Sequence, residues 1–155
     1  MLVASVVLGG QAQAAACWSD NAYQAAQMRD LDTLLMVQTL RCRINNIDFS
    51  NDYNRFVRDK RAVLAAANQQ IRGQFAQSVG QARALGAYDD FMTKIANGYG
   101  AGTKGMDCSD YAKLARAAAQ APATRAAIVE LAEKAGSRPR IPGSRCGYNV
   151  ALKDK

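Results

Sequence analysis

The chemistry of this chain is read first from its cysteines, at positions 17, 42, 108 and 146. A thiol can be a nucleophile, a metal ligand or half of a disulfide, and its neighbours decide which. The 155 residues include no histidine. Within this chain that removes Ser-His-Asp and Cys-His catalysis, the HExxH zinc site, two-Cys two-His fingers and haem held by a proximal histidine. An even set of four cysteines suits two disulfides and an oxidising compartment.

Cys108 lies in Gly105-Met-Asp107-Cys108-Ser109-Asp110-Tyr-Ala-Lys-Leu114. Over about five residues this resembles the Asp-Cys-Ser start of the catalytic helix in NlpC-type cell-wall cysteine peptidases. The resemblance implies a thiol at a helix N-terminus, where the dipole lowers its pKa. Two features depart from that family. Asp110 stands where the family typically has glycine, and the family's general base is a histidine. A disulfide beside a capping Ser109 accounts for the same letters.

Three further patterns bear on ligands. Asp48-Phe-Ser50-Asn-Asp52-Tyr-Asn54, with Asp59 in the twelfth place, resembles an EF-hand calcium loop in its alternating oxygens. However, Tyr53 replaces the turn glycine, Arg55 takes the usual apolar place and Asp59 is shorter than the bidentate glutamate, so a helix start fits better. Gly100-Ala-Gly102-Thr-Lys-Gly105 satisfies the GxGxxG spacing of dinucleotide sites. It follows a helical pattern rather than a strand, which makes it an interhelical loop. Asp89, Asp90, Glu130 and Glu133 are the carboxylates that could serve a glycosidase; at helical spacing they read as a first-turn pair and as solvated charges near Lys134 and Arg125. No metal or cofactor site is assigned.

Helices must position whatever these residues do. From Ser19 to about Asn45, Tyr23, Ala26, Leu31, Leu34, Leu35 and Gln38 recur at three- and four-residue steps, predicting a long amphipathic helix capped by Ser19 or Asp20, with Arg41 and Arg43 in its last turns. A second helix is expected from Ser50, as N-cap, to about Ser78. Gly80 and Gly86 bracket a weak joint. Further helices are expected over 87–97, from Asp107 or Ser109 to about Gln120, and over 123–135 with Gly136 as the stop. No alternating strand pattern occurs. The fold class is therefore all-α, a bundle of about four to five helices stapled by disulfides. Its aromatic residues sit at core spacing, and Trp18 is placed to seal the bundle end over a disulfide.

The first helix also constrains pairing. Cys17 and Cys42 would stand roughly 37 Å apart along it at a helical rise, far beyond the reach of a disulfide. Cys42 must then meet Cys108 or Cys146. An up-down-up course for the first three helices favours Cys42–Cys108 with Cys17–Cys146.

Residues 1–16 are uncharged, carry a short apolar run and end in Ala14-Ala15-Ala16, which reads as a signal peptide cut before Cys17. Cys17 after small residues also loosely resembles a lipobox, which would lipidate it and leave an odd thiol. The helical bundle is assigned to 17–136 and an extended basic tail to 137–155. Of the net charge of +7, the largest local excess is in this tail, where Arg138, Arg140, Arg145, Lys153 and Lys155 face one acid, Asp154. These cations are the candidate contacts for an anionic partner, bound by plain electrostatics. The expectation is a periplasmic or secreted, non-enzymatic binding or structural module of a bacterial envelope, whose partner is an anionic envelope component or another envelope protein, with homo-oligomers allowed. A small carboxylate-based envelope hydrolase and a subunit of a surface assembly are the alternatives.

Overall fold

A computed structural model of the protein describes residues 16–147. The proposed signal segment up to residue 15, Lys153 and Lys155 lie outside the described residues. Among them six helices form: α1 Asp20–Ile44, α2 Ser50–Asp59, α3 Arg61–Val79, α4 Gln81–Gly98, α5 Cys108–Gln120 and α6 Arg125–Lys134. No named strand occurs among the described residues; one isolated bridge joins Trp18 and Arg145. The all-α bundle is as expected, with one helix more than the sequence pattern suggests.

The extra helix comes from Lys60. The expected single helix from Ser50 to Ser78 bends there, at φ −103° and ψ 11°. Its ends remain linked by Lys60 N–H donating to Phe56 and Leu64 N–H donating to Lys60. The bend lets α2 pack on α5 while α3 packs on α1 and α4. Lys60 is itself buried, and its Nζ donates to the Ala119 carbonyl at 3.2 Å. A buried ammonium with a backbone acceptor ties the corner to the end of α5. Several boundaries also shift. Phe49, not Ser50, is the N-cap of α2, and the Asp48 carboxylate accepts the Ser50 N–H instead. α4 begins at Gln81 rather than near residue 87, so Asp89 and Asp90 fall in mid-helix and not in a first turn. Thr124 caps α6, which is shorter than the expected 123–135.

The first helix is not amphipathic. α1 is the central helix, touched by all five others. Between Ala25 and Leu35 every residue except Arg29 is buried. Leu31, Leu34, Leu35 and Met28 supply its apolar contacts, while Gln27, Asp30, Asp32 and Thr33 are polar and equally hidden. Over that stretch the helix is surrounded and has no solvent face on which to segregate polar residues, whereas nearer its C-terminus Met36, Leu40 and Ile44 are exposed. Three of the buried polar residues are satisfied inside: Asp30 accepts from the Ser137 and Tyr99 hydroxyls, Asp32 from Arg29 and the Tyr53 hydroxyl, and the Thr33 hydroxyl donates to the Arg29 carbonyl.

α1, α3 and α4 run up, down and up. Gln74, late in α3, meets Cys17 and Ser19 at the start of α1, and Tyr99, just past α4, meets Asp30 and Gln38. Both cysteine pairs form as this course implies, Cys17–Cys146 and Cys42–Cys108. Trp18, fully buried, packs against Phe75 at 5.4 Å and Phe91 at 5.6 Å between ring centres. It closes the bundle end above the first disulfide, as its place in the sequence suggests.

Candidate anion-binding groove

The segment after α6 has no helical period, yet it is held against the bundle. Gly136, at φ +76°, ends the helix in a left-handed turn, and Ser137 N–H donates to the Ala132 carbonyl. The buried Ser137 hydroxyl donates to the Asp30 carboxylate at 2.5 Å. At the far end Trp18 N–H donates to the Ser144 carbonyl and Cys146 N–H to the Trp18 carbonyl, both at 2.8 Å, beside the Cys17–Cys146 disulfide. Residues 137–146 thus form a strap anchored at the middle and at the start of α1. Within it Pro139 is buried, while Arg138 and Arg140 are exposed.

Between this strap and α4 lie two adjoining cavities of about 470 and 420 Å³, which share Phe91, Lys94 and Arg140. Arg138, Pro139, Ile95 and Asp30 complete the first. Val79, Ala87, Ile141 and Pro142 add to the second, and Asp90 also lines it. Among the described residues, Lys94, Arg138 and Arg140 make no ion pair. Three cations outside any ion pair among the described residues, beside apolar side chains and with Asp30 and Asp90 as the carboxylates of the lining, outnumber the acids there, as a cation-lined site for an anion requires.

Asp30 forms the inner wall. Burial pushes its carboxyl above the ordinary aspartate range, opposed by hydrogen bonds from Ser137 and from the Tyr99 hydroxyl at 2.7 Å. Burial likewise raises Asp32 above that range, opposed by Arg29 and Tyr53. The Tyr99 phenol is pushed well up, first by burial and then by the Asp30 charge, so it stays a donor to Asp30. This trio anchors the strap and holds the wall of the groove.

Of the residues singled out in the sequence, Arg138 and Arg140 reach this groove and Arg145 does not. Its guanidinium bonds Asp20 at 2.8 Å and lies 4.1 Å over the Tyr23 ring, an ion pair and a cation–π contact that fasten the strap. Lys94 comes from late in α4, outside the tail where the local charge excess lies, and no spacing marks it.

The other chemical motifs resolve into structure. Cys108 is bonded to Cys42, so it holds no thiol, and Asp107 and Asp110 form a reciprocal capping box around it. The calcium-like segment is helical from Ser50 onward, which removes the loop its ligands would need. Gly100–Gly105 is the interhelical loop before α5. A side chain at Gly102, which has φ +83°, would meet the Arg41 guanidinium at 2.8 Å, and Thr103 N–H donates to the Tyr111 hydroxyl at 2.7 Å. Glu130 pairs with Lys134 at 2.6 Å, and that contact lowers its pKa. Among the described residues, no three His, Cys, Asp or Glu side chains gather as a metal site would require, and no helix is long and apolar enough to cross a membrane. No family model, curated protein or solved structure matches this chain.

Proposed function

We propose that this chain is an exported, non-enzymatic helical module of a bacterial envelope that binds an anionic component at Lys94, Arg138 and Arg140. The observation that carries this reading is the strap. It is fixed at both ends, and it holds two exposed arginines beside Lys94, none of the three in an ion pair with a carboxylate among the described residues. A fixed site loses less conformational freedom on binding than a free tail does, so its cations act together. Two intramolecular disulfides are compatible with a periplasmic or extracellular location.

Calorimetric titration with inorganic polyphosphate tests the binding claim. The wild type should bind with an affinity that falls steeply as salt is raised, because exposed charges are screened over about 8–10 Å at physiological ionic strength. Arg138→Gln/Arg140→Gln should bind about tenfold more weakly, while Arg61→Gln/Arg72→Gln on α3 should change it little. Equal losses in the two variants would show diffuse attraction to a basic protein and would defeat the proposal.

A further inference from the structure

We infer that the ligand is a monomeric amphiphilic anion: a phosphate or carboxylate head held at Lys94, Arg138 and Arg140, with a single alkyl chain lying in the adjoining cavity beside Val79 and Ile141. This rests on the anion-binding reading above and goes beyond it in assigning the apolar part. The cations alone would serve any phosphate. The second cavity adds what inorganic phosphate cannot use: about 420 Å³ between the strap and α4, bordered by Phe91, Ala87, Val79, Ile141 and Pro142, with Asp90 the one carboxylate in its lining. Val79 is 37% exposed although its neighbour Phe75 is buried, so apolar surface here faces outward. Combined volumes of this order fall in the range of small-molecule sites. Charge complementarity sets the orientation. The three cations stand where the two cavities meet and along the first, while Asp30, at the inner wall of the first, disfavours deep entry of an anionic head. The chain therefore points away from Asp30, toward Val79.

The same geometry supplies a reporter. Trp18 is the one tryptophan of the sequence. It lies 5.6 Å from Phe91, the aromatic side chain that borders both cavities. An alkyl chain seated against Phe91 changes the packing around Trp18, and with it the emission.

The experiment is a Trp18 fluorescence titration of the oxidised full chain, checked by calorimetry, with octyl, decyl and dodecyl phosphate below their micellar concentrations. Inorganic phosphate, dodecyl maltoside and anionic phospholipid vesicles serve as comparison probes. The expected result is saturable one-to-one binding of the alkyl phosphates, tightening about fourfold per added methylene. Arg138→Gln/Arg140→Gln and Lys94→Gln should weaken it several-fold, and dodecyl maltoside should bind far more weakly. If inorganic phosphate binds through the same cations as tightly as dodecyl phosphate, the chain assignment is overturned and the anion-binding reading stands. Binding to vesicles without binding to monomeric amphiphiles also overturns it. Equal binding of dodecyl maltoside, or no binding of any anion, overturns both.

Discussion

Asp30 shows most clearly how one residue couples the bundle to the groove. It sits on the central helix, 4% exposed, and takes hydrogen bonds from Ser137 on the strap and Tyr99 beyond α4. The titratable groups around it are Tyr99 and, along the first cavity, Lys94, Arg138 and Arg140. Because burial raises its folded pKa above the ordinary value of 3.8, the fold favours the neutral acid. The stabilising contribution of that acid is full below 3.8 and is lost as pH rises through the folded value. Asp30→Asn removes this titration while keeping an oxygen that accepts both hydroxyls. Chemical denaturation of wild type and variant at a series of pH values should show the wild type gaining stability relative to the variant as pH falls from neutral to below 3.8. A constant difference, or one that moves the other way, would contradict the assignment. None of this was legible in the sequence, where an aspartate between Arg29 and Leu31 looks like a solvated helix charge. The partners that make it buried stand 69 and 107 positions away.

Among the elements, the two glycines around the α3–α4 joint separate by their backbone. The sequence treats Gly80 and Gly86 as equal punctuation, but only Gly80, at φ +85° and ψ 155°, makes the turn. Gly86 lies within α4, and neither has an atom within 4 Å of where a Cβ would stand. Space is therefore not at issue, and conformation alone sets the sign. Gly80→Ala should lower stability by about 1–3 kcal/mol, from a backbone region essentially reserved for glycine. Gly86→Ala should raise it by about 0.5–1 kcal/mol, by restricting the unfolded chain and improving helix propensity. Thermal unfolding of the two variants checks the pair, and shifts of the same sign would refute the division. Helix ends with local chemistry were readable, as at Ser19, Asp107 and Gly136. The bend at Lys60 was not, because no breaker marks it. It follows from the choice of α2 to pack on α5, and tertiary packing of that kind leaves no trace in a window of neighbouring letters. The periodicity of α1 misled for a related reason. Its apolar steps imply one buried face, whereas five surrounding helices bury the polar steps too.

The disulfides of the whole molecule were deducible, because a straight helix keeps Cys17 from Cys42 and an up-down-up course brings Cys42 to Cys108. The site was half deducible. The charge excess pointed to Arg138 and Arg140, but it also included Arg145, which the structure uses as a fastener on Asp20 and Tyr23. Lys94 and the apolar floor came only with the packing of the strap on α4. The central claim is that anion binding is local to that strap, although other cations such as Arg61, Arg72, Arg83 and Lys104 are also exposed. Backbone amide chemical-shift mapping during titration with inorganic pyrophosphate tests this most directly. The account predicts that the largest saturable shifts fall on the amides of residues 94–98 and of Ser137, Arg138, Arg140 and Ile141, with those of Arg61, Arg72, Arg83 and Lys104 small. Shifts spread evenly over the exposed cations, or centred on α3, would contradict it.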